Sequence, residues 1–236
     1  YAITASTTSS ANTAVGNASL QSNTTGAGNT GMGASALLLN TTGGGQTAFG
    51  YQSLHSATTG TNNSGLGVNA LYDLTTGTNN TAIGVSAGRS TSPSGTITTQ
   101  RNRICLGNNS VTNLFCRVSL IQTSDKRDKT DVTDFKHGLS WVKKLRPITY
   151  RWDMRSNYKD GIRDGSKKEE RLNLGFIAQE ELEIEKEHGF ANDKNDMLLV
   201  NENDEGNYGM YYDRLVPILV NAIKELSAKV TALEAG

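Results

Sequence analysis

Charge is almost missing from the first hundred residues: only Asp73 and Arg89 carry it, in a stretch crowded with Gly, Thr, Asn, Ser and Ala. So few ionisable groups argue against catalysis in this half, and no paired carboxylates occur in residues 1–123 to cut a glycan. Cysteine is equally scarce. The spacing of Cys105 and Cys116 matches no zinc or redox motif, and both read as small buried apolar residues. His55, His137 and His188 are scattered, so no metal site and no cofactor are expected. No apolar run approaches a membrane span and no signal-peptide pattern opens the chain, so membrane insertion is not expected. Tyr1 is not a natural start, and the chain is expected to be a fragment of something longer. With 23 basic and 23 acidic groups the formal net charge is zero, which gives no electrostatic case for a nucleic-acid partner.

What residues 1–107 do have is a period. The strings NTAVG, NTGMG, QTAFG, NSGLG and NTAIG begin at Asn12, Asn29, Gln46, Asn63 and Asn80, each 17 residues after the last. Leu20, Leu37, Leu54 and Leu71 follow in phase, with Gly88 breaking the pattern, and Thr-Gly pairs recur at Gly26, Gly43, Gly60 and Gly77. A variant, Arg103 to Gly107, arrives after an insertion containing Pro93. Each period reads as two short strands separated by turns, one offering Val15, Met32, Phe49, Leu66 or Ile83 and the other the leucine. One such unit hides little apolar surface, so the coils must stack into a solenoid. Even then the core is thin, and association of several chains is the natural remedy. The repeats resemble the heads of trimeric adhesins of the YadA type and the repeats of many phage tail fibres, which implies a trimeric β-roll or β-helical shaft.

From Ser124 onward the composition turns ordinary, with 19 basic and 22 acidic residues. The chain reads SDKRDKTDV from Ser124, then Leu139 to Pro147, Tyr150-Arg151-Trp152, Gly175 to Glu180, and Tyr211-Tyr212-Asp213 leading into a final helix. This succession, over residues 124–236, resembles the intramolecular chaperone auto-processing domain that ends endosialidase tail spikes, phage tail fibres and neck appendages. The resemblance implies an α+β domain that trimerises a precursor, after which a serine–lysine pair cuts the chain just before the serine. The family's motif falls on Ser124, Asp125, Arg127 and Lys129 without departure, placing the cleavage site at Thr123–Ser124.

The chemistry suits those residue types. A serine hydroxyl is a weak nucleophile until a base takes its proton, and lysine is a base only when neutral, which requires burial or nearby cations. Lys126 and Arg127 are candidates to supply that positive charge, and Asp125 reads as orienting the motif. Taken alone, the hexapeptide reads equally well as a helix N-cap or solvated turn. A five-residue separation puts Ser124 and Lys129 on different sides of an ideal helix, so they must meet on a turn or across subunits. At the far end Leu219, Ile223, Leu226, Val230 and Leu233 repeat at spacings of four, three, four and three, a coiled-coil seam for a trimer helix, with Pro217 in its first turn. Trp141, Trp152, Tyr150 and Phe176 read as core aromatics, and Lys167 to Arg171 as a solvated loop.

The expected organisation is therefore a repetitive β-solenoid shaft over 1–107, a connector over 108–123 and a chaperone domain over 124–236. The expected protein is the distal part of a homotrimeric phage fibre, assembled in the host cytoplasm, carried on the virion and offered to a host surface glycan or receptor. The alternatives are a non-cleaving structural fibre and a bacterial surface adhesin with the same repeats.

Overall fold

A computed structural model of the chain describes residues 2–3, 5, 7–117, 121–203 and 206–236. Residues 118–120 of the expected connector lie outside the described residues. The chain divides into two compact units, Tyr1–Leu114 with Met154–Lys167, and Phe115–Asp153 with Lys168–Gly236.

The first unit is a β-solenoid. Strands β1 (Thr13–Val15), β2 (Thr30–Met32), β3 (Thr47–Phe49), β4 (Ser64–Leu66), β5 (Thr81–Ile83) and β6 (Ile104–Leu106) form one parallel sheet in chain order. Thr13 pairs with Thr30, Thr30 with Thr47 and Thr47 with Ser64, so strand register reproduces the sequence period. There is one strand per period rather than two. The leucines expected on a second strand sit in turns, at φ of 52°, 53°, 52° and 51° for Leu20, Leu37, Leu54 and Leu71. A left-handed backbone costs an L-residue about 1–2 kcal/mol. All four leucines are fully buried, which returns about 1.5–3 kcal/mol each. Closing a rung this short demands the sharp bend, and the buried side chain stabilises it.

The other apolar row also differs from expectation. Successive strand residues face opposite sides. The small middle residue, such as Ala48 or Ala82, points into the rung. The large residue after it points out, leaving Val15, Phe49, Leu66 and Ile83 exposed by 55%, 51%, 48% and 45%. A narrow rung already filled by leucine has no room for a second large side chain.

Inside, small residues alternate in matched pairs. Ser19 Oγ donates to the Gly31 carbonyl at 2.8 Å, and Ser53 Oγ to the Gly65 carbonyl at 2.8 Å. A Cβ on Gly31 would lie 2.6 Å from Ser19 Oγ, and one on Gly65 2.5 Å from Ser53 Oγ. In the intervening rung the corresponding places hold Ala36 and Ala48, both fully buried. At Gly88, where the leucine is missing, Ile97 from the insertion fills the core instead.

The repeated asparagine closes the backbone ledger. Asn12 Oδ1 accepts from the Asn29 N–H at 2.8 Å, Asn29 Oδ1 from the Gln46 N–H at 2.9 Å, and Asn63 Oδ1 from the Asn80 N–H at 3.0 Å. Asn29 Nδ2 also donates to the Gly43 carbonyl at 2.8 Å. Asn29→Ala strips the buried Gln46 N–H of its partner and takes one of two donors from the Gly43 carbonyl, and is expected to destabilise the solenoid by about 2 kcal/mol. Thermal denaturation of the variant beside the native chain checks this.

The second unit is a small α+β body. It holds α1 (Leu139–Val142), an antiparallel pair β7 (Ile148–Tyr150) and β8 (Asn173–Gly175), α2 (Ala178–Glu187), a second pair β9 (Val200–Glu202) and β10 (Tyr208–Met210), and the terminal α3 (Leu215–Glu234). Trp141, Ile184, Leu199, Leu215 and Ile218 make its core, with Phe135, Phe176 and Phe190 packed against them. His137 and His188, scattered in sequence, meet edge to face at 4.9 Å beside Trp141. Gly138 lets α1 begin against α3: a Cβ there would lie 2.5 Å from the Ala222 nitrogen. Glu225 Oε2 accepts from the Leu139 N–H at 3.2 Å, capping a helix whose own N-cap glycine has no side chain.

Two expectations need correction here. Trp152 is 47% exposed, its ring set edge-on against Tyr150, because the chain leaves the β7–β8 ribbon at that point. Cys105 is buried, but Cys116 is exposed, on a stretch with no regular structure. Lys167 to Arg171 is largely solvated, as expected.

Two glutamates of α2 are buried, Glu181 and Glu185. Glu185 accepts three backbone N–H groups, from Leu198 at 2.7 Å, Leu199 at 2.7 Å and Val200 at 2.8 Å, and so anchors the start of β9. Glu181 accepts from Trp141 Nε1 at 2.7 Å. Burial pushes the Glu181 carboxyl above its ordinary range, against the pull of the Trp141 hydrogen bond, and the Glu185 charge adds to the rise. A folded carboxyl with a raised pKa holds its proton longer than the unfolded one, so its contribution falls as pH rises through that interval. Glu181→Gln keeps the acceptor and removes the buried charge. It is expected to raise stability by about 1 kcal/mol at pH 7, with the gain gone below pH ~4. Melting curves of both proteins at the two pH values check this.

Candidate active site

The candidate segment enters without regular structure, with Ile121, Gln122, Thr123 and Ser124 all exposed. Asp125 then caps a single 3-10 turn over Lys126–Asp128, its Oδ1 accepting from the Arg127 N–H at 2.9 Å. Aspartate suits this place because a short acceptor satisfies an otherwise orphaned amide of the first turn. The turn closes with the Lys129 N–H donating to the Lys126 carbonyl at 3.3 Å, and Lys129 itself returns to an extended backbone.

That geometry solves the five-residue spacing within one chain. A tight turn flanked by extended residues on both sides folds the lysine back over the serine. Lys129 Nζ lies 2.7 Å from Ser124 Oγ. As drawn, the ammonium donates to the hydroxyl oxygen. The same separation serves the reverse bond, in which the serine O–H donates to a neutral amine. A nucleophile and a base within hydrogen-bond reach is the arrangement that serine activation requires.

The charges around the pair are arranged differently from the expectation. Arg127 does not stand as a bare cation, because its guanidinium forks onto Asp125, with Nε 3.1 Å from both carboxylate oxygens and Nη2 2.6 Å from Oδ2. Those hydrogen bonds hold the Asp125 carboxyl below its usual range and raise Arg127. Asp125 is thus an ionised, occupied cap and not a base. Lys126 is exposed. Among the described residues nothing covers Ser124 or Lys129, which are both exposed.

On the acyl side of the Thr123–Ser124 bond, Gln122 Nε2 donates to Asp213 Oδ2 at 3.0 Å. No sequence signal pointed to this contact, since the two residues are 91 apart. Asp213 belongs to the turn Tyr212–Arg214 that leads into α3.

Along α3 the residues at spacings of three and four separate cleanly. Leu215, Ile218 and Ala222 are buried in the domain. The five seam residues face away: Leu219, Ile223, Leu226, Val230 and Leu233 are 43%, 66%, 52%, 45% and 81% exposed. These five form an apolar stripe open to water along α3.

A family model described as the chaperone of endosialidase matches residues 124–190. The match opens at Ser124 and ends before α3, so it is shorter than the 124–236 stretch over which the motifs were read. No curated protein and no solved structure matches the chain significantly.

Proposed function

Starting from a chain whose residues 124–190 match the endosialidase chaperone, we propose that it is the distal part of a homotrimeric phage tail fibre or appendage. Its second unit drives trimerisation and folding, then releases itself by cutting between Thr123 and Ser124. The observation that carries this reading is the 2.7 Å approach of Lys129 Nζ to Ser124 Oγ, at the first residue of the family match.

The reaction balances within the chain and one water. Neutral Lys129 takes the hydroxyl proton as Ser124 Oγ adds to the Thr123 carbonyl carbon. The bond from that carbon to the Ser124 nitrogen breaks, and the nitrogen takes the proton back. An ester then joins Thr123 to Ser124 Oγ, and water hydrolyses it, leaving a carboxylate on Thr123 and an amine on Ser124. The enzyme is a serine peptidase that turns over once on itself, with no external substrate.

Exposure of the pair in one chain explains why cutting waits for assembly. A lysine in water keeps its proton; desolvation disfavours the charged form. The covering surface comes from the other two copies, so cleavage reports a completed trimer. Before the cut, near-identical rungs invite slips of one period, and a domain that trimerises first sets the register. After it, the shaft has lost its template and persists by slow unfolding. The assembled shaft is carried on the virion and presented to a host surface glycan or receptor.

The test is intact mass on the freshly folded chain over time. Two fragments, one ending at Thr123 and one beginning at Ser124, support the reading. A trimer that stays uncut makes the protein a non-cleaving fibre.

A further inference from the structure

Resting on that reading, we propose that Asp213 is a positioning residue for the cut: it holds Gln122, and so the acyl half of the Thr123–Ser124 bond, in place for Ser124. The scissile bond has two ends to fix. The amine end is fixed by the Asp125-capped turn, which begins one residue after the serine. The acyl end has only Ile121 to Thr123, without regular structure and all exposed. There the Gln122 side chain reaches Asp213 at 3.0 Å.

Asp213 is a firm post because its neighbours are tied to the domain. The Tyr211 N–H donates to the Leu199 carbonyl at 2.7 Å. Tyr212 Oη accepts from the Phe176 N–H at 3.2 Å. Arg214 Nη1 donates to the Leu198 carbonyl at 2.8 Å, and its guanidinium lies 3.9 Å from the centre of the Tyr211 ring. Leu215, the next residue, is buried and begins α3. Of this tetrad, Asp213 is the residue turned to the scissile segment.

Attack by a serine on its own preceding carbonyl closes a five-membered ring, so the torsions on either side of the carbonyl decide how often the atoms meet. Fixing residue 122 removes freedom immediately upstream of the reacting carbon, and misplacements of ångström size cost catalysis heavily. The same hydrogen bond joins the scissile segment to the turn that leads into α3, so seating α3 and aligning the bond are one event.

The experiment follows cleavage of the full chain after trimer formation, by intact mass, with the trimer confirmed by light scattering. Asp213→Leu removes the acceptor and is expected to slow cutting about ten-fold, the worth of one hydrogen bond. Gln122→Glu sets two carboxylates together and is expected to slow it at least as much. The double variant Gln122→Glu with Asp213→Asn restores the bond with donor and acceptor exchanged, and is expected to return the rate to within a few-fold of native. A purely structural Asp213 is not rescued by reversing the bond. If the native trimer cuts and Asp213→Leu cuts at the same rate, or the double variant stays as slow as Gln122→Glu, the positioning role is overturned while self-cleavage stands. If the native trimer does not cut at all, both readings fall together.

Discussion

Ser124→Ala is expected to leave the chain uncut at full length, and Lys129→Arg to do nearly the same while trimers still form. The arginine variant is the sharper of the two. It keeps a cation and hydrogen-bond donors near the 2.7 Å contact, so a merely structural lysine tolerates it. Arginine does not give up its proton in a protein, so it has no lone pair with which to take one from serine. Loss of a positioned base costs roughly 10²–10⁴-fold in rate, which converts minutes into days in a single-turnover assay read by denaturing electrophoresis. Native-like cutting by Lys129→Arg removes the lysine from the mechanism; native-like cutting by Ser124→Ala removes the serine.

A single acidic substitution on each exposed apolar face is expected to break assembly in two different ways. Ile223→Glu places a carboxylate on the open stripe of α3. In a trimer three such charges meet where three side chains each contributed about 1.5–3 kcal/mol of burial. The outcome expected is monomers by light scattering at micromolar concentration, with cutting slowed accordingly. Leu66→Glu acts on the solenoid, where Val15, Phe49, Leu66 and Ile83 form an outward apolar row. That variant still assembles through α3, yet its shaft is expected to lose resistance to protease and detergent. Should both variants give native trimers of native resistance, neither face is an interface and the proposed trimer has to be built elsewhere.

The solenoid was legible in the sequence because stacking forces equal rungs, and equal rungs force a period. Which way each side chain points was not legible. A three-residue strand shows too little alternation to tell inside from outside, so the row from Val15 to Ile83 read as core. Likewise nothing in a leucine announces a positive φ, and its repetition suggested a strand. In the second unit the burial of Glu181 and Glu185 was not legible, because their partners, Trp141 and the amides of Leu198 to Val200, arrive from distant sequence. The active segment lay between these cases. Spacing alone required Ser124 and Lys129 to meet on a turn or across subunits, and the Asp125 cap makes that turn. The tie from Gln122 to Asp213 had no local trace at all.

The matched small residues inside the solenoid decide where the chain could be shortened. Ser19 needs glycine opposite it, while the next pair is Ala36 with Ala48 and the next Ser53 with Gly65. Excising residues 29–45 would set Ser19 against Ala48, whose Cβ falls near 2.6 Å from its hydroxyl. Excising residues 32–48 instead removes the alanine pair whole and leaves each serine facing its glycine. Both cuts take out one period, so the seams of the shaft are set by its small-residue pairs and not by the 17-residue spacing alone.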